Sequence, residues 1–187
     1  MKKQVLFIHC AGPQGNQQGS EGLVEYLQQN LSNEYSLLNP SMPNPEEPVY
    51  HQWKKELQKN FDSLTGEVIL VGHSLGGTVL LKYLSEEECN VSIRGLFIVA
   101  TPYWGIDRDW SRSDFVLDER FYAKLPQSID TYFYHSMHDE TVPINHLVQL
   151  TKGFADTTIR IQDGSSHLFE NGLAELVVDI KNSNLER

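Results

Sequence analysis

Cysteine is scarce in this chain, which has only Cys10 and Cys89 among 187 residues. Disulfide-dependent secreted domains carry many more, so the count argues against a disulfide framework and favours a reducing compartment. Long apolar runs are also absent. The run at residues 5–8 stops at His9, short of the roughly 7 to 15 residues of a signal peptide, and no run approaches the roughly 18 residues of a membrane span. We therefore expect a cytoplasmic protein.

Positive charge is in deficit as well. The chain has 15 basic and 25 acidic residues, which gives a formal net charge of -10. Such a surface repels phosphate backbones and anionic lipid headgroups, so we expect neither a nucleic-acid partner nor a membrane partner. The length suits one domain over residues 1–187, because a domain of roughly 150 residues already buries about two thirds of its unfolded surface.

The stretch 72–77 has the pattern Gly-x-Ser-x-Gly and places Ser74 between two regular elements. Residues 68–71 are branched and apolar, which predicts a buried strand, and the residues after the motif recur at helical spacing. A serine on so sharp a turn has a strained backbone, and Gly72 and Gly76 let strand and helix approach closely. The helix would aim unpaired N–H groups at the same spot. The pattern predicts a nucleophile beside an oxyanion site.

Predicted strands and helices alternate along most of the chain. The strands are expected at residues 5–8, 35–38, 68–71, 96–99, 129–134 and 158–161, and the helices at 23–31, 53–64, 78–89, 144–151 and 173–180. Such alternation predicts an α/β domain with a mainly parallel sheet and helices on both faces.

Residues 101–128 interrupt the alternation and carry several aromatic residues. Loops of this length are usually functional or partly helical, and this one follows the carboxyl end of a strand, beside the site. We therefore predict a lid or cap-like insertion. Tyr103 and Trp104 are its candidates for substrate contact. His73, next to the nucleophile, is a further candidate, with a packed side chain as the alternative.

A serine hydroxyl needs a base that removes its proton and a carboxylate that orients the base. Seven histidines compete, and His167 is the best candidate because it lies in the loop after the last predicted strand. Asp139 follows the strand at 129–134 and is the candidate acid. A helix cap or turn is its alternative role, and Glu140 and Asp163 are its rivals.

An oxyanion site needs a second N–H group besides that of Leu75, and the loop after the first strand normally supplies it. Ala11 is the best candidate. Its neighbours Cys10 and Gly12 remain open. The Cys10 thiol itself is interpreted as a buried and inert side chain.

Two other chemistries find little support. The glycine-rich stretch 12–20 lacks the Gly-Lys-Ser/Thr ending of a phosphate loop. His135, His138 and Asp139 lie close together in sequence but lack the spaced partners that metal sites use. We therefore expect no cofactor and no metal.

The order of the motifs at 72–77, 139–143 and 166–167 resembles the α/β-hydrolase superfamily over essentially the whole chain. The small size and short N-terminus resemble the compact serine hydrolases typified by retinoblastoma-binding protein nine. The resemblance implies a three-layer fold with about six parallel strands in the order 2-1-3-4-5-6. It also implies a Ser-Asp-His triad at Ser74, Asp139 and His167. The sequence departs from many relatives with His9-Cys10 in place of His-Gly, and with Ser166-His167 in place of Gly-His.

These features lead to the hypothesis of a serine hydrolase that cleaves small carboxylic esters through an acyl-enzyme. Since the working base must be neutral, activity should rise with pH through roughly 6 to 7. One alternative is a protein-binding module that keeps the triad but acts through a protein partner. Another is a peptidase, thioesterase or acyltransferase that uses the same triad.

Overall fold

A six-stranded parallel sheet forms the centre of the protein, with its strands in the order β2-β1-β3-β4-β5-β6. The computed structural model describes residues 2–15, 17–126 and 129–183. The strands are β1 Lys3–Ile8, β2 Tyr35–Leu38, β3 Glu67–His73, β4 Ser92–Val99, β5 Asp130–Ser136 and β6 Thr158–Gln162. The chain places β2 on one side of β1 and β3 on the other, so the strand order reverses between β1 and β3. The carboxyl ends of these two strands therefore border the crevice where such sheets bind ligands.

Helices connect the strands and cover both faces of the sheet. They are α1 Glu21–Asn30, α2 Tyr50–Ser63, α3 Leu75–Glu86, α4 Phe121–Lys124, α5 Asn145–Thr151 and α6 Ala174–Asn182, with a short 3-10 helix at Ser113–Phe115. No helix in these described ranges is long and apolar enough to cross a membrane.

The central strands are apolar at successive positions because both faces of the sheet are buried. In β1, Val5 and Phe7 belong to the core under α1 and α6, while Leu6 and Ile8 belong to the core on the opposite face, under α2 and α3. Successive side chains of a strand point to opposite faces, so one short strand serves two cores. The carboxyl end of β3 is therefore buried between two layers of helices.

The predicted fold class is confirmed. All six strands pair in parallel, and their order is the one that the resemblance implied. The boundaries of β2 agree with the prediction, whereas β4 begins at Ser92, four residues before the predicted start. The early part of β4 is exposed or half-buried, so it lacks the apolar pattern that marks a buried strand.

Residues 101–126 are partly helical, and several of their apolar side chains lie in the core on the α2 and α3 face. The buried anchors are Trp104, Phe115, Leu117, Phe121 and Leu125. The Trp104 ring contacts Phe115 and Trp110, and its Nε1–H donates to Thr78 Oγ1 of α3 at 3.2 Å. Residues 127 and 128 of the predicted insertion lie outside the described residues. A lid movement of this segment stays a prediction.

Candidate active site

Ser74 lies on the turn between β3 and α3 and has φ 51° and ψ -119°. A positive φ is uncommon for a residue with a side chain, and such strain persists only where the surroundings impose it. Here the Ser74 N–H donates to the Val99 carbonyl of β4 at 2.8 Å, while its own carbonyl accepts the N–H of Gly77 at 3.0 Å. The turn therefore holds the serine at the carboxyl edge of the sheet.

The neighbouring glycines permit this turn, as the sequence predicted. A Cβ on Gly76 would collide with the backbone carbonyls of Ile8 and His9, at the end of β1. A Cβ on Gly72 would lie 2.6 Å from the Cα of Gly77. Because these neighbours are backbone atoms, they cannot move aside as a flexible side chain can.

His167, in the loop between β6 and α6, lies between Ser74 and Asp139. Its Nε2 is 3.1 Å from Ser74 Oγ, and its Nδ1 is 2.8 Å from Asp139 Oδ2. A histidine with its proton on Nδ1 can donate to the carboxylate and accept from the hydroxyl at the same time. The structure therefore brings together the three residues that the sequence predicted.

Asp139 is 4% exposed and divides its two carboxylate oxygens between different partners. Oδ2 faces His167, whereas Oδ1 accepts the N–H groups of Thr141 and Val142, each at 2.9 Å. Burial raises the pKa of this carboxyl, but the hydrogen bonds from His167 and the two backbone groups outweigh it and hold the pKa below the ordinary value. The turn-forming role and the histidine contact thus coexist.

The rival acids Glu140 and Asp163 are both exposed. In the described part of the chain neither forms a hydrogen bond with His167. Behind Asp139 lies the buried His135, whose Nε2–H donates to the Val142 carbonyl at 2.7 Å. This bond supports the turn that presents the carboxylate.

The three candidates for the second oxyanion donor differ in their hydrogen bonds. The Cys10 N–H donates to Ser20 Oγ at 2.9 Å, and the Gly12 N–H donates to the Pro45 carbonyl at 2.7 Å. Among the described residues, no acceptor faces the N–H of exposed Ala11, nor that of Leu75 in the first turn of α3. Ala11 is therefore the candidate whose N–H is available.

The predicted substrate-contacting residues occupy different environments. Tyr103 is half-buried, and its N–H donates to His146 Nδ1 at 3.1 Å. Trp104 is 9% exposed and packs in the core. His73 is fully buried and both of its ring nitrogens have partners, so its placement does not agree with direct substrate contact. It does agree with the alternative of a packed side chain.

Three further residues near the site are not predicted from the sequence. Ser20 contacts His73 Nδ1, Ser136 Oγ donates to the Ser166 carbonyl at 2.6 Å, and His146 lies beneath Tyr103. Ser136 carries a usable signal, because it ends a strand at the edge where ligand sites form. Ser20 carries none, since its partner is distant in sequence.

Four buried histidines surround this region, and burial lowers the pKa of each. The pKa of His73 falls to about 3 through burial and through its neighbour His167. Burial likewise lowers the pKa values of His9, His135 and His146 below the ordinary value. Among the described residues, no three histidine, cysteine, aspartate or glutamate side chains group as a metal site.

Comparison with known proteins gives one family. The family model described as serine hydrolase matches residues 18–176. No curated protein sequence matches the chain.

Solved structures share the fold at low identity. The ydeN gene product of B. subtilis is 18% identical with a TM-score of 0.78, and the alignment covers 97% of this chain and 98% of that one. Bromoperoxidase from Bacillus anthracis is 17% identical with a TM-score of 0.73, covering 97% and 92%. The meta-cleavage product hydrolase of Pseudomonas fluorescens IP01 is 13% identical with a TM-score of 0.74, covering 97% and 92%.

Proposed function

Because the chain belongs to the serine hydrolase family, we propose that it hydrolyses small carboxylic esters through an acyl-enzyme formed on Ser74. The observation that carries the proposal is the pair of hydrogen bonds at 3.1 Å and 2.8 Å that join Ser74, His167 and Asp139. A hydroxyl, an imidazole and a carboxylate in this order form the arrangement that activates serine.

In the proposed reaction, Ser74 Oγ attacks the ester carbonyl while its proton passes to His167 Nε2. Asp139 keeps the His167 proton on Nδ1 and stabilises the imidazolium that forms. The carbonyl oxygen becomes an oxyanion and accepts the N–H groups of Leu75 and Ala11. When the tetrahedral intermediate collapses, the alcohol leaves with the proton from His167, and the acyl group stays on Ser74.

The second half of the reaction returns the enzyme to its starting state. His167 removes a proton from a water molecule, which attacks the acyl carbonyl through the same oxyanion site. The carboxylic acid then leaves as Ser74 Oγ recovers its proton from His167. The strained turn supports both halves, because it keeps the serine oxygen fixed relative to the base.

A short acyl chain agrees best with the surroundings of Ser74. The serine is 7% exposed, and Trp104 and Phe115 of the segment that follows β4 pack into the core. Aromatic side chains that are buried in the core do not line a groove for a long acyl chain. We therefore propose substrates of low molecular weight.

A panel of p-nitrophenyl esters tests the function directly. Acetate, butyrate, octanoate and palmitate esters are compared on the wild type and on Ser74→Ala, with Ser63→Ala at an exposed position of α2 as control. We expect kcat/KM to be highest for the short esters and to fall at least about 10³-fold in Ser74→Ala. Equal rates for Ser74→Ala and the wild type would refute the proposal.

The alternatives from the sequence differ in the leaving group or in the partner. A thioesterase, peptidase or acyltransferase would form the same acyl-enzyme, so thioester and aminoacyl substrates are assayed beside the esters. A pure protein-binding module would give a folded wild-type protein with no turnover of any of them. The cytoplasmic location and the absence of nucleic-acid and membrane partners stay predictions from composition.

A further inference from the structure

His73 connects two loops of the site through a buried chain of hydrogen bonds. Its Nε2 lies 2.8 Å from the backbone carbonyl oxygen of His167, and its Nδ1 lies 2.8 Å from Ser20 Oγ. Ser20 Oγ in turn accepts the N–H of Cys10 at 2.9 Å. The chain therefore runs from the loop of the base, through the residue before the nucleophile, to the loop that presents Ala11.

The direction of every bond in the chain is determined. A carbonyl oxygen can only accept, so the His73 proton must be on Nε2. In a neutral ring Nδ1 is then an acceptor, and the Ser20 hydroxyl donates to it. The same hydroxyl oxygen is free to accept from Cys10. A neutral His73 therefore satisfies both of its ring nitrogens, the Ser20 hydroxyl and the Cys10 N–H.

Ser20 departs from the ordinary role of its position. It is the residue before α1, where serine usually accepts a hydrogen bond from the N–H groups of the first turn. Here it makes no such side-chain bond, although it is fully buried. The hydroxyl is directed to His73 and Cys10 instead, so helix capping does not account for it.

We infer that His73 and Ser20 are positioning residues that fix the backbone of His167 and the N–H of Ala11 relative to Ser74. This inference rests on the proposed function for its kinetic consequences. The hydrogen-bond chain bypasses the reacting atoms, so neither residue is catalytic itself. A small displacement of either loop misaligns the base or the oxyanion donor, and misplacements of about 1 Å can cost about 10²-fold in rate.

The burial of the chain makes it effective. His73 and Ser20 are both 0% exposed, so water does not compete for their hydrogen bonds. The pKa of His73, lowered to about 3 by burial, keeps the ring neutral across the range in which a serine hydrolase works. The alternative of a ring that is merely packed would leave the two loops uncoupled.

Two substitutions of His73 separate its hydrogen bond to His167 from its hydrogen bond to Ser20. Asparagine reaches only the position of Nδ1, so His73→Asn keeps an acceptor for Ser20 and loses the bond to His167. Glutamine reaches the position of Nε2, so His73→Gln keeps the donor to His167 and loses the acceptor for Ser20. Ser20→Ala removes the hydrogen bond between residues 20 and 73 from the serine side. Ser183→Ala, a buried serine bonded to Ile180 at the end of α6, is the matched control.

The kinetic arm of the test uses a short p-nitrophenyl ester. We expect Ser20→Ala and His73→Gln each to lower kcat about tenfold with KM within about twofold. The double variant Ser20→Ala/His73→Gln should have a kcat no lower than either single variant, because both substitutions remove the same hydrogen bond between residues 20 and 73. His73→Asn should also lower kcat, because it releases the backbone carbonyl of His167. Additive losses, or variants with a lowered melting temperature and an unchanged kcat, would overturn the inference.

The spectroscopic arm does not depend on activity. In Ser74→Ala labelled with 15N-histidine, His73 should give the neutral tautomer protonated at Nε2 between pH 5.5 and 8, with a slowly exchanging N–H. Protonation at Nδ1, or titration near pH 6.5, would overturn the hydrogen-bond chain. If the wild type has no esterase activity but His73 shows the expected tautomer, the proposed function is refuted and the hydrogen-bond chain is retained.

Discussion

Asp139 and His167 are joined through one carboxylate oxygen only, by a bond of 2.8 Å between Oδ2 and Nδ1. The other oxygen is occupied by the N–H groups of Thr141 and Val142. The carboxylate therefore cannot rotate to offer its second oxygen to the ring without losing two backbone hydrogen bonds. The ring orientation is fixed by the turn after β5.

Asp139→Asn tests this arrangement with little change in shape. The amide oxygen can still accept from Thr141 and Val142, but the amide nitrogen then faces His167 Nδ1 and donates to it. The ring proton must move to Nε2, which can no longer accept from Ser74. We expect kcat to fall by about 10³ to 10⁴ with a wild-type melting temperature. The control, Glu140→Gln, alters the exposed neighbour and should keep wild-type kcat; an active Asp139→Asn would exclude Asp139 as the acid.

Gly76→Ala tests the close approach of α3 to β1. The new methyl group would collide with the carbonyl oxygens of Ile8 and His9, which are held by the sheet. We expect the free energy of unfolding in urea to fall by about 2 to 3 kcal/mol. Gly164→Ala is the matched control, because a Cβ there meets nothing within 4 Å, and its stability should change by less than about 0.5 kcal/mol. Equal stability of the two variants would contradict the packing described.

The buried histidines predict a loss of stability in mild acid. The pKa of His73 is about 3 in the folded protein and about 6.5 in the unfolded chain, so between these values the unfolded chain binds the additional proton. The contribution of His73 to the free energy of unfolding is fully present above about pH 6.5 and is lost as pH falls. His73 alone contributes about 1.4 kcal/mol per pH unit, and His9, His135 and His146 act in the same direction.

Urea titrations at pH 7.5, 6.5, 5.5 and 4.5 measure this dependence. His73→Gln should flatten the slope below pH 6.5, whereas His51→Gln, at an exposed position of α2, should leave it unchanged. A slope as steep in His73→Gln as in the wild type would show that His73 is not the source. The same titrations show whether a loss of activity below pH 6 reflects the base or unfolding.

Trp104 is expected to hold residues 101–126 against α3. Trp104→Ala removes a buried indole and its bond to Thr78, and should lower the free energy of unfolding by about 3 to 5 kcal/mol. Trypsin should then cleave faster after the exposed Arg108 and Arg112. Val116→Ala, at a partly exposed site in the same segment, is the control. Unchanged cleavage in Trp104→Ala would show that the segment is held by other contacts.

Much of the fold could be predicted because its strands are short, apolar and separated by helical patterns. The apolar pattern predicts β2 at its observed residues, and the Gly-x-Ser-x-Gly motif predicts a strand on one side and a helix on the other. The motif also limited the partners of Ser74. Histidines and carboxylates after later strands converge at one edge of a parallel sheet, so His167 and Asp139 could be selected by position.

The contacts that depend on tertiary structure cannot be predicted from the sequence pattern. Nothing near Ser20 indicates that its hydroxyl faces His73, because the two lie on different elements and meet only after the sheet has formed. The hydrogen bonds of Cys10 and Gly12, which leave Ala11 available, likewise depend on the loop geometry. For the same reason the sequence leaves His73 open between substrate contact and a packed side chain, and its full burial agrees with the packed side chain.

Mapping of a fluorophosphonate adduct by mass spectrometry tests the central claim most directly. The folded wild type is treated with the reagent at pH 7.5, digested, and compared with Ser74→Ala and with His167→Ala. The account predicts a single adduct on the peptide that contains Ser74, none in Ser74→Ala, and labelling at least about 10²-fold slower in His167→Ala. A wild type that takes up no label at Ser74, or takes it up as fast without His167, would contradict it.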